Sequence, residues 1–124
     1  MDDEGYVAKL LTSWEEVAKR GQLTFWVLLS LRDGPKHMAE IKRFVSDATH
    51  ATITADDKSL YRALRRYHQA EMVAFQTAPG HGPDRKVYEL TAIGAEVLRR
   101  FIERNVTGIL FQPQILRLMN EENT

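Results

Sequence analysis

The chain has 124 residues, 44% of them hydrophobic and 27% charged, which is typical of one folded domain with short extensions. Because it contains no cysteine, the sequence excludes disulfides, thiolate catalysis and cysteine-based zinc fingers. No apolar run approaches the roughly 20 residues of a membrane-spanning helix, and the N-terminus is acidic, so we expect a cytoplasmic protein without membrane contact.

The 17 basic and 17 acidic residues cancel in sum but are spread unevenly along the chain. Acidic residues gather towards both ends, whereas six lysines and arginines face only three acidic residues between positions 57 and 86. Phosphates respond to the nearest face of a protein rather than to its net charge. A neutral chain can therefore carry a basic surface.

Hydrophobic spacing predicts helices over residues 6–20, 23–32, 37–48 and 57–72. Stops follow the first two at Gly21 and at Asp33-Gly34-Pro35, and Thr54, Asp56 and Asp57 offer cap oxygens for the fourth. The apolar period then changes to two, which predicts a hairpin over 73–90 with a turn at 79–84. A helix capped by Thr91 should continue to about Val106, where Gly108 breaks it before a short final helix.

This order predicts a mainly α fold with a small β-hairpin: a winged helix-turn-helix with added N-terminal and C-terminal helices. Residues 1–21 form the N-terminal extension, residues 22–107 the winged helix-turn-helix domain, and residues 108–124 a short C-terminal helix and tail. The hairpin over 73–90 is the wing.

The fourth helix has the two faces that a recognition helix needs. Leu60, Leu64 and Tyr67 form an apolar stripe, and a basic face without any acidic residue lies opposite. Arginine can bind guanine and glutamine can bind adenine through paired hydrogen bonds, so this face could read bases in a major groove. The basic face consists of Lys58, Arg62, Arg65, Arg66 and Gln69.

The wing adds a second basic element. Arg85 and Lys86 stand beside His81 at a tip rich in glycine and proline, which suits contact with a phosphate or a minor groove. The sequence therefore favours double-stranded DNA as a partner.

Three segments resemble the PadR family of winged-helix regulators. They are Leu31-Arg32-Asp33-Gly34-Pro35-Lys36-His37 with Glu40-Ile41, Ser59-Leu60-Tyr61-Arg62-Ala63-Leu64-Arg65-Arg66, and Gly82-Pro83-Asp84-Arg85-Lys86-Val87-Tyr88-Glu89-Leu90-Thr91 with Gly94. The resemblance spans about residues 24–104. It departs from the family pattern at Met38 and Ala39, where Gly and Tyr are common, and at Lys58, where Gly is frequent.

The resemblance implies a homodimer that binds a roughly palindromic operator, usually as a repressor, and that dimerises through its terminal helices. It assigns DNA contacts to recognition helix and wing, and it places two residues at the start of the third helix near the DNA backbone. The recognition-helix and wing residues are Ser59, Tyr61, Arg62, Arg65, Arg66, Arg85 and Lys86. The two residues near the backbone are Lys36 and His37.

Other kinds of site are poorly supported. The four histidines have no metal-ligand spacing and no catalytic constellation stands out, so we expect no metal, no cofactor and no enzyme activity. Trp14 and Trp26 are expected in the core or dimer interface, or in a pocket for a small aromatic effector, together with Ile115, Leu116 and Met119. A winged-helix protein-protein interaction module and a small-molecule sensor with weak DNA binding remain alternative functions.

Overall fold

The computed structural model of the chain describes residues 3–79 and 85–121. It confirms a mainly helical fold with a small antiparallel sheet. The elements in chain order are α1 (Glu4–Ala18), α2 (Leu23–Arg32), β1 (Lys36–His37), α3 (Met38–Ala48), α4 (Asp57–Gln69), β2 (Val73–Thr77), β3 (Lys86–Leu90), α5 (Ala92–Ile102), a π-helical turn (Glu103–Thr107), α6 (Gly108–Leu110) and α7 (Pro113–Asn120).

The core lies between α2, α3 and α4 and continues onto the sheet and α5. Val27, Ile41 and Leu64, one from each central helix, are fully excluded from solvent. Burying such side chains supplies most of the favourable free energy of folding. Tyr67 of α4 adds a polar link to α2, because its hydroxyl lies 2.7 Å from the hydroxyl of Thr24. These contacts fix the orientation of α4 relative to the rest of the domain.

The sheet has three strands in the order β1-β3-β2, so the predicted hairpin is only part of it. The missed strand, β1, has two residues, with Lys36 opposite Tyr88 and His37 opposite Val87. Its brevity explains why alternation of apolar and polar residues could not reveal it. The hairpin itself pairs Val73 with Leu90, which holds the wing beside α4.

Side-chain caps set both boundaries of the helix-turn-helix loop. Thr49 accepts a hydrogen bond from the Ile53 amide at 3.1 Å and donates to the Val45 carbonyl at 2.7 Å, which closes the turn after α3. Asp56 then caps α4, since its carboxylate accepts from the Ser59 amide at 2.7 Å.

The prediction that α4 extends to Met72 was wrong by about one turn. Glu71 adopts a left-handed backbone conformation with φ of 63°, so the helix ends at Gln69. The amide of Met72 still donates to the carbonyl of Tyr67 at 2.9 Å, which leads the chain directly into β2.

The prediction that one helix runs to Val106 and breaks at Gly108 also needs correction. The chain stays helical after α5 but widens into a π-helical turn, and Gly108 begins α6. A Cβ atom on this glycine would lie 2.0 Å from the carbonyl oxygen of Glu103, so the wide turn accommodates glycine alone without adjustment. Gly108 therefore permits a change of helix geometry.

The terminal helices contribute little to the core. Every residue of α1 is exposed, and in α7 only Ile115 is partly buried. Large apolar side chains remain in solvent on both, including Trp14 at 72% and Leu118 at 58% exposure. No helix in the described ranges is long and apolar enough to cross a membrane.

Candidate nucleic-acid interface

Helix α4 separates its side chains as the sequence predicts. Leu60, Leu64 and Tyr67 are buried, together with Ala63. The opposite side faces solvent, and each side chain of the predicted basic face is exposed. These exposed residues are Lys58, Arg62, Arg65, Arg66 and Gln69, and the predicted contact Ser59 is exposed as well.

The cations of this face are free of intramolecular carboxylates. Within residues 3–79 and 85–121, no ion pair involves Lys58, Arg62, Arg65 or Arg66. The two aspartates at the start of α4 are engaged elsewhere. Asp57 lies 2.6 Å from the Lys42 ammonium, and Asp56 caps the helix.

The helix cap also holds Asp56 in its charged form. Its pKa is lowered mainly because the backbone amide of Ser59 donates a hydrogen bond to its carboxylate; the positive charge of Arg62 is a smaller cause. A negative charge at the N-terminus of a helix interacts favourably with the helix dipole. The charge of Asp56 thus supports the start of α4.

The wing places Lys86 over aromatic rings next to α4. Its ammonium lies 4.5 Å from the ring centre of Phe75 and 5.6 Å from that of Tyr61, which is 45% exposed. Arg85 is exposed beside it, and its carbonyl accepts from the Ala78 amide at 2.8 Å. The predicted contact His81 lies outside the described residues.

Lys36 does not join this surface. Its ammonium bonds the carbonyl of Ser30 at 2.7 Å and the carboxylate of Asp33 at 2.8 Å, and it lies over the ring of Phe44. With 13% of its side chain exposed, Lys36 is tied to its own chain. The expectation of a backbone contact from Lys36 is therefore not supported by its position.

His37 acts as the cap of α3. Its Nδ1 atom accepts from the Glu40 amide at 3.3 Å, while its own amide donates to the Glu40 carboxylate at 3.0 Å. This second bond is the main reason that the pKa of Glu40 is lowered, with the charges of Lys36 and Arg85 adding to it. The reciprocal cap fixes the start of α3 next to the wing.

The two tryptophans occupy separate environments. Trp26 packs edge-on against Phe25 at 5.1 Å between ring centres, whereas Trp14 is 72% exposed on α1. No ring contact joins them in the part of the chain that the structure describes. On α7, Ile115 is half-buried while Leu116 and Met119 are exposed. The separate positions of Trp14 and Trp26 leave the expectation of a pocket for an aromatic effector untested.

Two residues beside the basic face were missed by sequence reasoning. His68 of α4 and Phe75 of β2 bring their ring centres to 4.8 Å. His68 follows Arg65 by three residues, so the sequence places the two on the same side of the helix. Only the position of the hairpin shows that this side of α4 meets the wing. Among the described residues, no group of three or more His, Asp or Glu side chains could hold a metal ion.

Comparison with known proteins identifies the family. Residues 27–100 match the model of the transcriptional regulator PadR-like family. A PadR family regulator from Eggerthella lenta is similar in structure, with 23% identity, a TM-score of 0.68, and coverage of 94% of this chain and 98% of that one. A transcriptional regulator from Clostridium thermocellum has 18% identity, a TM-score of 0.63, and coverage of 82% and 93%.

One similar structure contains DNA. Bacillus subtilis PadR in complex with operator DNA has 22% identity and a TM-score of 0.58, and the match covers 64% of this chain and 46% of that longer one. No curated protein sequence matches the chain significantly. The family match spans well over half of the chain and includes α4 and the wing, and so the chain belongs to the PadR-like family of transcriptional regulators.

Proposed function

We propose that this chain is a sequence-specific DNA-binding repressor that acts in the cytoplasm as a homodimer on a roughly palindromic operator. Each subunit would insert α4 into a major groove and set its wing against the adjacent backbone. The observation that carries the proposal is the exposed face of α4, on which four cations lie opposite a buried stripe and form no ion pair with any described carboxylate.

The chemistry of this face suits both parts of DNA recognition. Guanidinium groups can bind phosphates or guanine edges, and the amide of Gln69 can bind adenine. Arg85 and Lys86 extend the basic surface onto the wing. We leave Lys36 out of the proposed contacts because its ammonium is already bound within the chain.

A second copy of the chain would cover the exposed apolar helices. Tyr6, Leu10 and Trp14 line α1 at four-residue spacing, each at least 51% exposed. Ile93, Val97 and Phe101 form another exposed stripe on α5, at 50%, 44% and 45%. Contiguous apolar patches of this kind on separate helices are typical of subunit interfaces. A two-fold dimer would also match a palindromic site.

Selection of bound sequences from random duplex DNA tests specificity and dimerisation together. A palindrome with half-sites about one helical turn apart supports the proposal. Recovery of unrelated sequences with no common element would overturn specific recognition. A reporter gene behind the selected site then tests repression, because a repressor lowers expression when the site overlaps the promoter.

The basic face is tested by replacing one arginine at a time. Arg62→Ala and Arg66→Ala should each weaken operator binding at least tenfold without loss of folding, since both side chains point away from the core. Arg99→Ala is the matched control, because Glu96 and Glu103 already neutralise that exposed arginine at 2.9 and 2.8 Å. If the wild type and the three variants bind the operator with equal affinity, the residues that contact DNA lie elsewhere.

The dimer is tested by placing a charge in the exposed stripe of α1. Trp14→Asp should shift the sedimentation coefficient from dimer towards monomer and weaken operator binding, because a buried carboxylate at an interface is strongly unfavourable. An unchanged dimer would show that the interface lies away from α1.

A further inference from the structure

A cleft of about 360 Å³ lies between the second half of α4 and the wing. Leu64 and Tyr88 form its buried base, and the remaining side chains come from both sides of the opening. Its lining residues are Tyr61, Leu64, Arg65, His68, Phe75, Lys86 and Tyr88.

The ionisable groups of the cleft are basic or phenolic. Arg65 and His68 enter from α4, Lys86 enters from β3, and no carboxylate within residues 3–79 and 85–121 lines the cleft. The phenols of Tyr61 and Tyr88 face the same space, and burial raises the pKa of Tyr88 above its ordinary value, so it stays uncharged. Three nitrogen-bearing side chains therefore line one cleft, and the described part of the chain places no carboxylate beside them.

Phe75 holds two of these donors in place. Its ring centre is 4.8 Å from that of His68 and 4.5 Å from the Lys86 ammonium. The negative face of an aromatic ring attracts a cation, which partly offsets the repulsion between neighbouring positive groups. A bound anion would balance the positive charge of this arrangement. An anion that accepts hydrogen bonds fits the cleft better than the edge of a base, because the lining offers several donors.

We propose that one phosphodiester of the bound DNA sits in this cleft, held by Arg65, Lys86 and His68, and that protonation of His68 strengthens DNA binding. The inference rests on the proposed function, which places α4 in the groove with the wing beside it. A recognition helix in the major groove lies between two phosphate backbones, and wings commonly contact one of them. The cleft lies where helix and wing meet.

The expected size of the effect follows from linkage. Histidine has an ordinary pKa of about 6.5, and an anion within hydrogen-bonding reach raises a pKa by about 1 unit or more. One such unit corresponds to a tenfold gain in affinity for each subunit, so a dimer would gain up to about a hundredfold between alkaline and mildly acidic pH. Lysine and arginine side chains ordinarily titrate well above this range, so a histidine is the residue type whose charge would change.

The experiment measures operator affinity by fluorescence anisotropy from pH 5.5 to 8.5 at constant ionic strength, with the full chain and the selected duplex. Wild-type affinity should rise as the pH falls, and His68→Gln should lose most of that rise, so that the two proteins differ most at pH 5.5. His50→Gln is the control, because this exposed histidine lies in the α3–α4 loop away from the cleft. It should keep the wild-type pH profile.

Two further outcomes separate this inference from the proposed function. If wild-type and His68→Gln proteins bind with the same pH dependence, His68 holds no phosphate and the inference fails while DNA binding stands. If the wild type binds no duplex at any pH, both fail. The histidine resonances observed by NMR give an independent readout, since the pKa of His68 should rise when the operator is added and should stay unchanged with free inorganic phosphate at millimolar concentration.

Discussion

The salt dependence of DNA binding can be worked out from the unpaired cations of the candidate interface. If each of the four α4 cations neutralises one phosphate, a dimer releases counterions at eight positions, which gives a slope of log K against log salt of about −7. The two wing cations, Arg85 and Lys86, could extend this slope to about −11. At the slope of about −7, affinity should fall by about ten-thousandfold between 50 and 200 mM salt.

Single substitutions show how much each residue contributes to the slope of log K against log salt. Arg66→Ala removes one candidate phosphate contact per subunit, so the slope of the dimer should become shallower by about 2. Lys36→Met should leave the slope unchanged, because the Lys36 ammonium is bound to the Ser30 carbonyl and the Asp33 carboxylate. The same change should lower the melting temperature, since it leaves the Ser30 carbonyl without that donor.

Anisotropy titrations at five or more salt concentrations measure both slopes. The reasoning is refuted if the wild-type slope is shallower than about −3, since that would leave most of the α4 cations without phosphates. It is also refuted if Lys36→Met changes the slope and Arg66→Ala does not, because Lys36 rather than Arg66 would then contact a phosphate.

Three further predictions concern stability. Thr91→Ala removes the oxygen that accepts the Gly94 amide at 3.0 Å and should cost about 1 kcal/mol in chemical denaturation, whereas Thr91→Ser should retain most of that amount. Gly108→Ala should lower the melting temperature, because its methyl group would meet the Glu103 carbonyl; an unchanged melt would mean that the π-helical turn relaxes at no cost. Glu96→Gln should flatten the acid-unfolding profile followed by circular dichroism. Hydrogen bonds from Arg99 and Arg100 lower the pKa of Glu96 from 4.5 to about 2, so its contribution is present at neutral pH and is lost as the pH falls through that window.

Local patterns were sufficient to predict the main elements. The second helix has the observed bounds Leu23–Arg32, and the amphipathic pattern of α4 gave its buried and exposed faces correctly. Both results depend on interactions within a few residues, such as the apolar period and the caps at Asp56 and Thr91. These features can be predicted from the local sequence.

Features that depend on distant contacts were missed. Strand β1 exists only because β3 pairs with it, and Lys36 turns inward because the Ser30 carbonyl and Asp33 lie within reach of its ammonium. The cleft beside His68 needs the register of the hairpin against α4 before it can be recognised. A periodicity argument contains none of this information, since it describes one element at a time.

The neutral net charge is compatible with a basic candidate interface because no ion pair among the described residues uses the cations on the exposed face of α4. Phosphates sense charges within about one Debye length, roughly 8–10 Å in moderate salt, so pairs elsewhere on the domain contribute little to the local field. Among the described residues, lysines and arginines outside the exposed face of α4 pair with six acidic side chains, whereas that face carries four cations and no acidic residue. The pairs are Glu16 with Lys19, Asp33 with Lys36, Asp57 with Lys42, Glu96 with Arg99 and Arg100, Glu103 with Arg99, and Glu121 with Arg117. Glu103→Gln removes the acidic partner of one of these pairs, so it should change the isoelectric point but leave operator affinity nearly unaltered. Gln69→Glu introduces an acidic side chain on the exposed face, and it should weaken binding because the carboxylate repels the phosphates directly.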